Sequence, residues 1–403
     1  MDPGLNLFSI VLLLGAAHGL FLALALLHAP TGNVIAHRML AFVIMILALD
    51  LGNEFLYQSY YYVQLPYLIW IDDPLEFLYG PLALFYVQAL TSAGKFRLSP
   101  DKLWHFSPVV IAVILGIPFY SLDAAAKLEF IYAETIPVGA ELAVDGQELM
   151  ALMFLVQFAA YLILGIRELV LHTRRIRDHF SYTERINLVW LRNFYLFLML
   201  MYLLFVLIVF SPQSFEISNQ ANDFLYLLTV VMFYAMGYQG LRQPAIFVRA
   251  QHELSEPAQH NEGSDQKSDT TPIQKVDKYK TSALDDNTSQ LLLQELLTYM
   301  DNERPYLNCK LTLPGLASQI GISTNYLSQV VNEQLKVNFF DFVNQYRIDE
   351  ARQSLADPEN YKVNILTIAL DAGFKSKTAF YTAFKKHTGS TPNHYRKSLT
   401  QTD

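Results

Sequence analysis

The chain has 403 residues, enough for two or three domains, and 52% of them are hydrophobic while only 16% are charged. Soluble domains carry about a quarter charged residues, so the totals argue against a wholly soluble protein. The formal net charge of −8 excludes a chain that is basic throughout. Cys309 is the only cysteine, which excludes an intrachain disulfide and a multi-cysteine metal site.

The apolar residues are concentrated between Leu5 and Tyr238, and from Arg249 onward the chain reads like a soluble protein. A run of roughly 20 apolar residues spans the hydrocarbon core of a bilayer. Seven runs are candidates: Leu7–Leu27, Met39–Tyr57, Leu75–Leu90, Phe106–Tyr120, Leu149–Leu171, Trp190–Phe210 and Phe224–Tyr238. The third and fourth are short, and the third contains Gly80 and Pro81. Met1–Ser9 has no positive segment and no small-residue cleavage site follows, so the first run is expected to be a span and not a signal peptide.

Lys and Arg in short loops set orientation. Arg38 follows the first run, Lys95, Arg97 and Lys102 the third, and Arg174, Arg175, Arg177 and Arg185 the fifth. The intervening loops hold only Lys127. This alternation predicts an N-terminus outside, with Arg242, Arg249 and the rest of the chain in the cytoplasm.

Polar groups within spans are costly and default to a functional hypothesis. Asp50, Asn53, Glu54 and Tyr57 share one face of the second run, and Asp72, Asp73 and Glu76 open the third at the same depth. They could form an acidic pocket for a cation, an amine or a proton, or they could be interfacial carboxylates solvated by headgroup water.

Residues 251–285 are polar and poor in apolar side chains, the composition of a disordered tether. Such a tether has an r.m.s. reach of about 35 Å. Order is expected to resume at Asp286-Asn287, which can cap a helix carrying Leu291–Leu297. Leu311–Ile320 is then a short amphipathic helix stopped by Gly321, and Ser323 can cap a second, Thr324–Glu333. Two short helices joined by a glycine turn make a helix-turn-helix. The pattern repeats: Ala317 precedes Gly321 by four residues as Ala369 precedes Gly373, Phe374 replaces Ile322, and Phe380 with Phe384 replaces Leu327 with Val331. An amphipathic helix near Phe339–Leu355 separates the two units.

Leu311–Leu399 resembles the DNA-binding domain of the AraC/XylS family of bacterial transcription regulators. The resemblance rests on LTLPGLASQIGISTNYLS, on FVNQYRIDEARQSL and on IALDAGFKSKTAFYTAFKKHTGSTPNHYR. It implies two helical subdomains joined by a linker helix, each placing a recognition helix in the major groove. With the packed positions removed, the first recognition helix offers Thr324, Asn325, Ser328, Gln329 and Asn332 for base reading. The second offers Lys377, Thr378, Tyr381, Thr382 and Lys385. Lys336, Lys375, Lys386, His387 and Arg396 are expected phosphate contacts. Arg347, on the linker helix, is either an internal partner or a phosphate ligand.

The sequence thus predicts an all-α protein: a seven-helix transmembrane bundle over residues 1–250, a tether over 251–285, and a double helix-turn-helix domain over 286–403. It would be a regulator in the bacterial inner membrane, not an enzyme, with promoter DNA and the bilayer as partners. RNA polymerase and a second copy of the chain are further candidates. No cofactor or metal is called for, and the signal is not readable. The competing reading is a transporter or lipid-modifying membrane enzyme with an autoregulatory DNA-binding appendage.

Overall fold

The computed structural model describes residues 3–29, 33–92, 96–133, 136–183, 188–209, 223–232, 235, 238 and 286–400. Lys95, Arg185, Arg242, Arg249, the loop 211–222 and the tether 251–285 lie outside these residues. The chain is all-α: among the described residues the one β feature is an isolated antiparallel bridge between Phe180 and Thr312. It divides into two compact units, Met1–Leu171 with Leu188–Arg249, and His172–Asn187 with Ala250–Asp403.

The first unit contains α1 (Leu7–Leu27), α2 (Val34–Gln58), α3 (Asp73–Glu76), α4 (Tyr79–Thr91), α5 (Ser107–Tyr120), α6 (Ala124–Tyr132), α7 (Glu141–His179, which runs on into the second unit), α8 (Val189–Val209) and α9 (Asp223–Met232). Among the described residues, five helical stretches are long and apolar enough to cross a membrane: Leu7–Leu27, Val34–Gln58, Pro100–Tyr120, Glu141–His179 and Val189–Leu207. The described helices at the expected third and seventh runs, α4 and α9, are shorter.

The third run is divided for a physical reason. Pro81 has no N–H to give to the carbonyl of Phe77, so a continuous helix would leave that oxygen unpaired. The helix restarts at Tyr79, and Gln157 Nε2 donates to Phe77 O instead, at 2.9 Å. Gly80 is needed beside it, because a Cβ there would stand 2.4 Å from the ring of Tyr161.

Small residues let α1 and α2 approach closely, as they do between helices in membranes. A Cβ on Gly19 would touch Ala48 Cβ at 3.0 Å, and one on Gly15 would meet Val230 Cγ2 at 3.2 Å. Leu14, Phe21, Val156, Ile163, Leu200 and Leu207 are left exposed on the outside of the unit.

The second unit continues with α10 (Asp286–Glu303), α11 (Leu313–Ile320), α12 (Thr324–Gln329), α13 (Phe339–Ala356), α14 (Ile365–Asp371), α15 (Lys377–Thr388) and α16 (Pro392–Thr400). A π turn at Val330–Gln334 extends α12. Short polar residues cap α11, α12 and α15 as their chemistry demands. Thr312 Oγ1 accepts from Gly315 N, Ser323 Oγ from Tyr326 N, and Ser376 Oγ from Ala379 N. The two turns are built alike. Gly321 has φ +80° while Ile322 N donates to Ala317 O, and Gly373 has φ +88° while Phe374 N donates to Ala369 O.

Each half has its own core, and α13 serves both. Its first turns place Phe339, Phe342 and Val343 against Leu296, Leu313, Leu316, Leu327 and Val331. Its later turns place Ile348, Ala351 and Leu355 against Ile368, Phe374, Phe380 and Phe384. At 1.5 Å per residue the helix is about 27 Å long.

Arg347 sits where the two cores meet and is 1% exposed. Its Nε donates to Tyr306 O at 2.8 Å, and its Nη1 to Ser181 O at 2.9 Å and Asn344 Oδ1 at 3.4 Å. Its Nη2 donates to Asn308 O at 2.9 Å and Ser181 Oγ at 3.0 Å. The guanidinium carbon also lies 5.9 Å from the centre of the Phe374 ring. A buried charge survives only when its donors are satisfied, and this one is satisfied largely by carbonyls of the chain it organises.

Three substitutions in full-length protein have expected costs, read by the reactivity of the single thiol, Cys309, across a denaturant series. Gly321→Ala meets open space and costs about 1–2 kcal/mol from left-handed strain alone. Gly373→Ala costs more, about 3 kcal/mol or above, because its Cβ would lie 2.4 Å from Tyr306 O. Equal costs would mean that the second turn is not closely packed. Arg347→Lys, with three donors in place of a planar fork, should lower stability by about 2–4 kcal/mol. An unchanged midpoint would show that the guanidinium is dispensable.

Candidate nucleic-acid interface

The reading surface is set by what each helix buries. In α12 and its π extension, Leu327, Val330 and Val331 face the core. Asn325 and Asn332 are exposed, and Thr324, Ser328 and Gln329 are half-buried on the outer side. All five predicted base-reading residues therefore share one surface. Two are pre-oriented along the helix: Gln329 Nε2 donates to Glu333 Oε2 at 2.9 Å, and Asn332 Nδ2 to Ser328 Oγ at 3.2 Å. Glu333 was not singled out in the sequence, although its spacing of four from Gln329 is the signal for such a pair. A carboxylate there can accept from cytosine N4.

In α15, Phe380, Ala383 and Phe384 are buried. Lys377, Thr378, Thr382 and Lys385 are exposed and Tyr381 is half-buried, so this set also shares one surface. Tyr381 is braced on both sides: Asn393 Nδ2 donates to its hydroxyl at 3.2 Å, and Lys377 Nζ lies 5.4 Å from its ring centre.

The five expected phosphate contacts separate into two groups. Lys386 is in an ion pair with Asp341 at 2.6 Å, which ties α15 to the start of α13. Arg396 Nη1 donates to Val363 O at 2.8 Å, closing the segment before α14. His387 is half-buried, and burial, then the neighbouring Lys386, lower its pKa below the ordinary value. Lys386 and Arg396 thus already hold a partner within the second unit. Lys336 is exposed, and Lys375 stands two residues before α15 with its ammonium 3.1 Å from the centre of the Tyr182 ring. That contact was not readable in the sequence, because Tyr182 lies far upstream.

In the first unit the predicted polar set is gathered. Asp50 lies within electrostatic range of Glu54, Asp72 and Glu76, and Glu76 within that of Asp72 and Asp73. Asn53 accepts a short hydrogen bond from the Tyr62 hydroxyl, and Gln58 Nε2 donates to Glu54 Oε1 at 2.7 Å. Tyr79, beside the set, is buried with its hydroxyl unpartnered, as is Asp72 Oδ1. Tyr57 instead stacks on Tyr132, with centroids 5.5 Å apart.

Comparison with known proteins agrees with the C-terminal geometry. The family described as "Helix-turn-helix domain" matches residues 316–398. The chain is 32% identical over 87 residues to the melibiose operon regulatory protein of Escherichia coli (strain K12), covering 22% of this chain and 28% of that one. It is 37% identical over 86 residues to an HTH-type transcriptional regulator of Staphylococcus aureus (strain COL), covering 21% and 11%. To the HTH-type regulator YtdP of Bacillus subtilis (strain 168) it is 24% identical over 192 residues, covering 46% and 23%. The chain thus spans less than a third of the length of these relatives. Among solved structures, a protein of unknown function from Listeria innocua is 32% identical, with a TM-score of 0.24, covering 26% of this chain and 95% of that one. The paired turns, the shared linker helix and the matched residues make the C-terminal part of this chain an AraC-type helix-turn-helix DNA-binding domain.

Proposed function

We propose that the protein is a membrane-anchored one-component transcription regulator that carries its own DNA-reading domain. The observation that supports this most directly is the presence, in one chain, of five membrane-length apolar helices and two helix-turn-helix units on a common linker helix. In this reading α4 and α9 complete seven spans in a bacterial inner membrane, the N-terminus is outside, and the second unit is cytoplasmic. The alternative of a transporter or lipid-modifying enzyme drew on the Gly80-Pro81 break, and packing against Tyr161 and the bond from Gln157 account for that break.

Base reading falls to Thr324, Asn325, Ser328, Gln329 and Asn332 in one half-site, and to Lys377, Thr378, Tyr381, Thr382 and Lys385 in the other. Lys336 and Lys375 neutralise phosphates. RNA polymerase and a second copy of the chain are the protein partners. The set Asp50, Asn53, Glu54, Asp72, Asp73 and Glu76 receives the signal as a cation, an amine or a proton. The unpartnered Tyr79 hydroxyl and Asp72 Oδ1 support that assignment.

Full-length protein in lipid nanodiscs should enrich a split motif from a randomised duplex pool, with half-sites about one helical turn apart. Affinity should fall steeply with salt. Gln329→Ala should lose about 10- to 100-fold at one base position of one half-site. Failure of protein with a protected Cys309 to enrich any sequence would remove the DNA-reading assignment.

A further inference from the structure

We infer that the DNA-binding domain carries a docking surface for a segment of its own chain, Phe180–Tyr182, and that this segment and DNA compete for Lys375. The inference rests on the DNA-reading assignment above for its second half only.

The segment lies between α7 and α8, two helices of membrane-spanning length, yet His172–Asn187 belongs to the same compact unit as the reading domain. Within that unit it is held by backbone, side-chain and ring contacts. Phe180 pairs with Thr312, the residue that caps α11, in an antiparallel bridge. Ser181 is 1% exposed, and both its N–H and its hydroxyl donate to Leu311 O, at 3.3 and 2.6 Å. Its carbonyl and hydroxyl oxygens accept from the two terminal nitrogens of Arg347. Tyr182 presents its ring to the ammonium of Lys375. A serine fills this position well, because its hydroxyl can accept from Arg347 while donating to Leu311 O.

The joint is built to open without dismantling the domain. If the segment leaves, Arg347 keeps Tyr306 O, Asn308 O and Asn344 Oδ1, which lie within the reading domain. Only the two donors that held Ser181 need new partners, and water can supply them. Lys375 would then exchange the Tyr182 ring for another anionic or electron-rich partner. Its place just ahead of the N-terminus of α15 is where a phosphate is favoured, so a docked Tyr182 and a bound phosphate exclude one another there. Linkage makes the effect reciprocal: whatever shifts the ends of α7 and α8 shifts DNA affinity, and DNA weakens docking by the same factor.

The test uses full-length protein in nanodiscs with the photoreactive analogue p-benzoylphenylalanine in place of Phe180 and a protease site inserted within residues 251–285. Irradiation followed by cleavage should leave the two halves joined on a denaturing gel. A mixed-sequence duplex at low salt should reduce that yield, and irradiated protein should bind the duplex about tenfold or more weakly than protein kept dark. Tyr182→Ala, which leaves Arg347 and the reading helices intact, should bind the duplex several-fold more tightly than the parent chain. Absence of the crosslink would overturn docking. A crosslink indifferent to duplex, with equal affinities in light and dark, would overturn the competition. A crosslink with no duplex binding in any sample would overturn the DNA-reading assignment, and the competition with it, while leaving docking established.

Discussion

The second unit depends on the burial of one guanidinium. Arg347 cannot shed its proton at any pH that matters, so its position obliges the chain to bring oxygens to it. Tyr306 and Asn308 do so from the segment before α11, Asn344 from α13 itself, and Ser181 from a distant part of the sequence. The same side chain faces Phe374, the first residue after the second glycine turn. Gly373 is glycine for a related reason: a Cβ there would stand 2.4 Å from the carbonyl oxygen of Tyr306 and 2.9 Å from that of Leu307, in the stretch of chain that Arg347 holds. Charge and close packing therefore fix the same joint. Because α13 contributes to both cores, the joint turns two small helical clusters into one body with two outward reading helices.

The first unit answers a different constraint. An unpartnered backbone group in apolar surroundings costs free energy, and a side chain from another helix meets that demand. Pro81 would orphan the Phe77 carbonyl, and Gln157 takes it. Gly15 and Gly19 exchange side-chain area for close helix approach, while Leu14 and Phe21 on the same helix remain exposed. Near Asp50, the Tyr79 hydroxyl and Asp72 Oδ1 are buried without a hydrogen-bond partner.

Much of the reading domain was legible because its signals are local. A small residue four positions before a glycine, an apolar residue after it and a hydroxyl cap two or three residues on specify the turn within about ten residues. The spacing appears twice, and both copies close with the same bond, Ile322 N to Ala317 O and Phe374 N to Ala369 O. The exposed faces of α12 and α15 follow by subtraction of buried positions. Legibility failed where the partner was remote. Lys386 and Arg396 read as phosphate ligands on their helices, and their contacts with Asp341 and Val363, 45 and 33 residues away, were not readable there. Ser181 meets Arg347 across 166 residues, which no periodicity or spacing encodes. The Gly15–Gly19 pair could have been found, since small residues four apart in an apolar run are the sign of helix contact.

Hydroxyl-radical footprinting of the full-length protein on a bound duplex tests the central claim most directly, because it reports how many reading heads touch DNA and how far apart they are. Two protected tracts on one face, separated by about 10 base pairs, are the expected result. One tract alone, or uniform protection without a repeat, would contradict a single body reading DNA through both helix-turn-helix units.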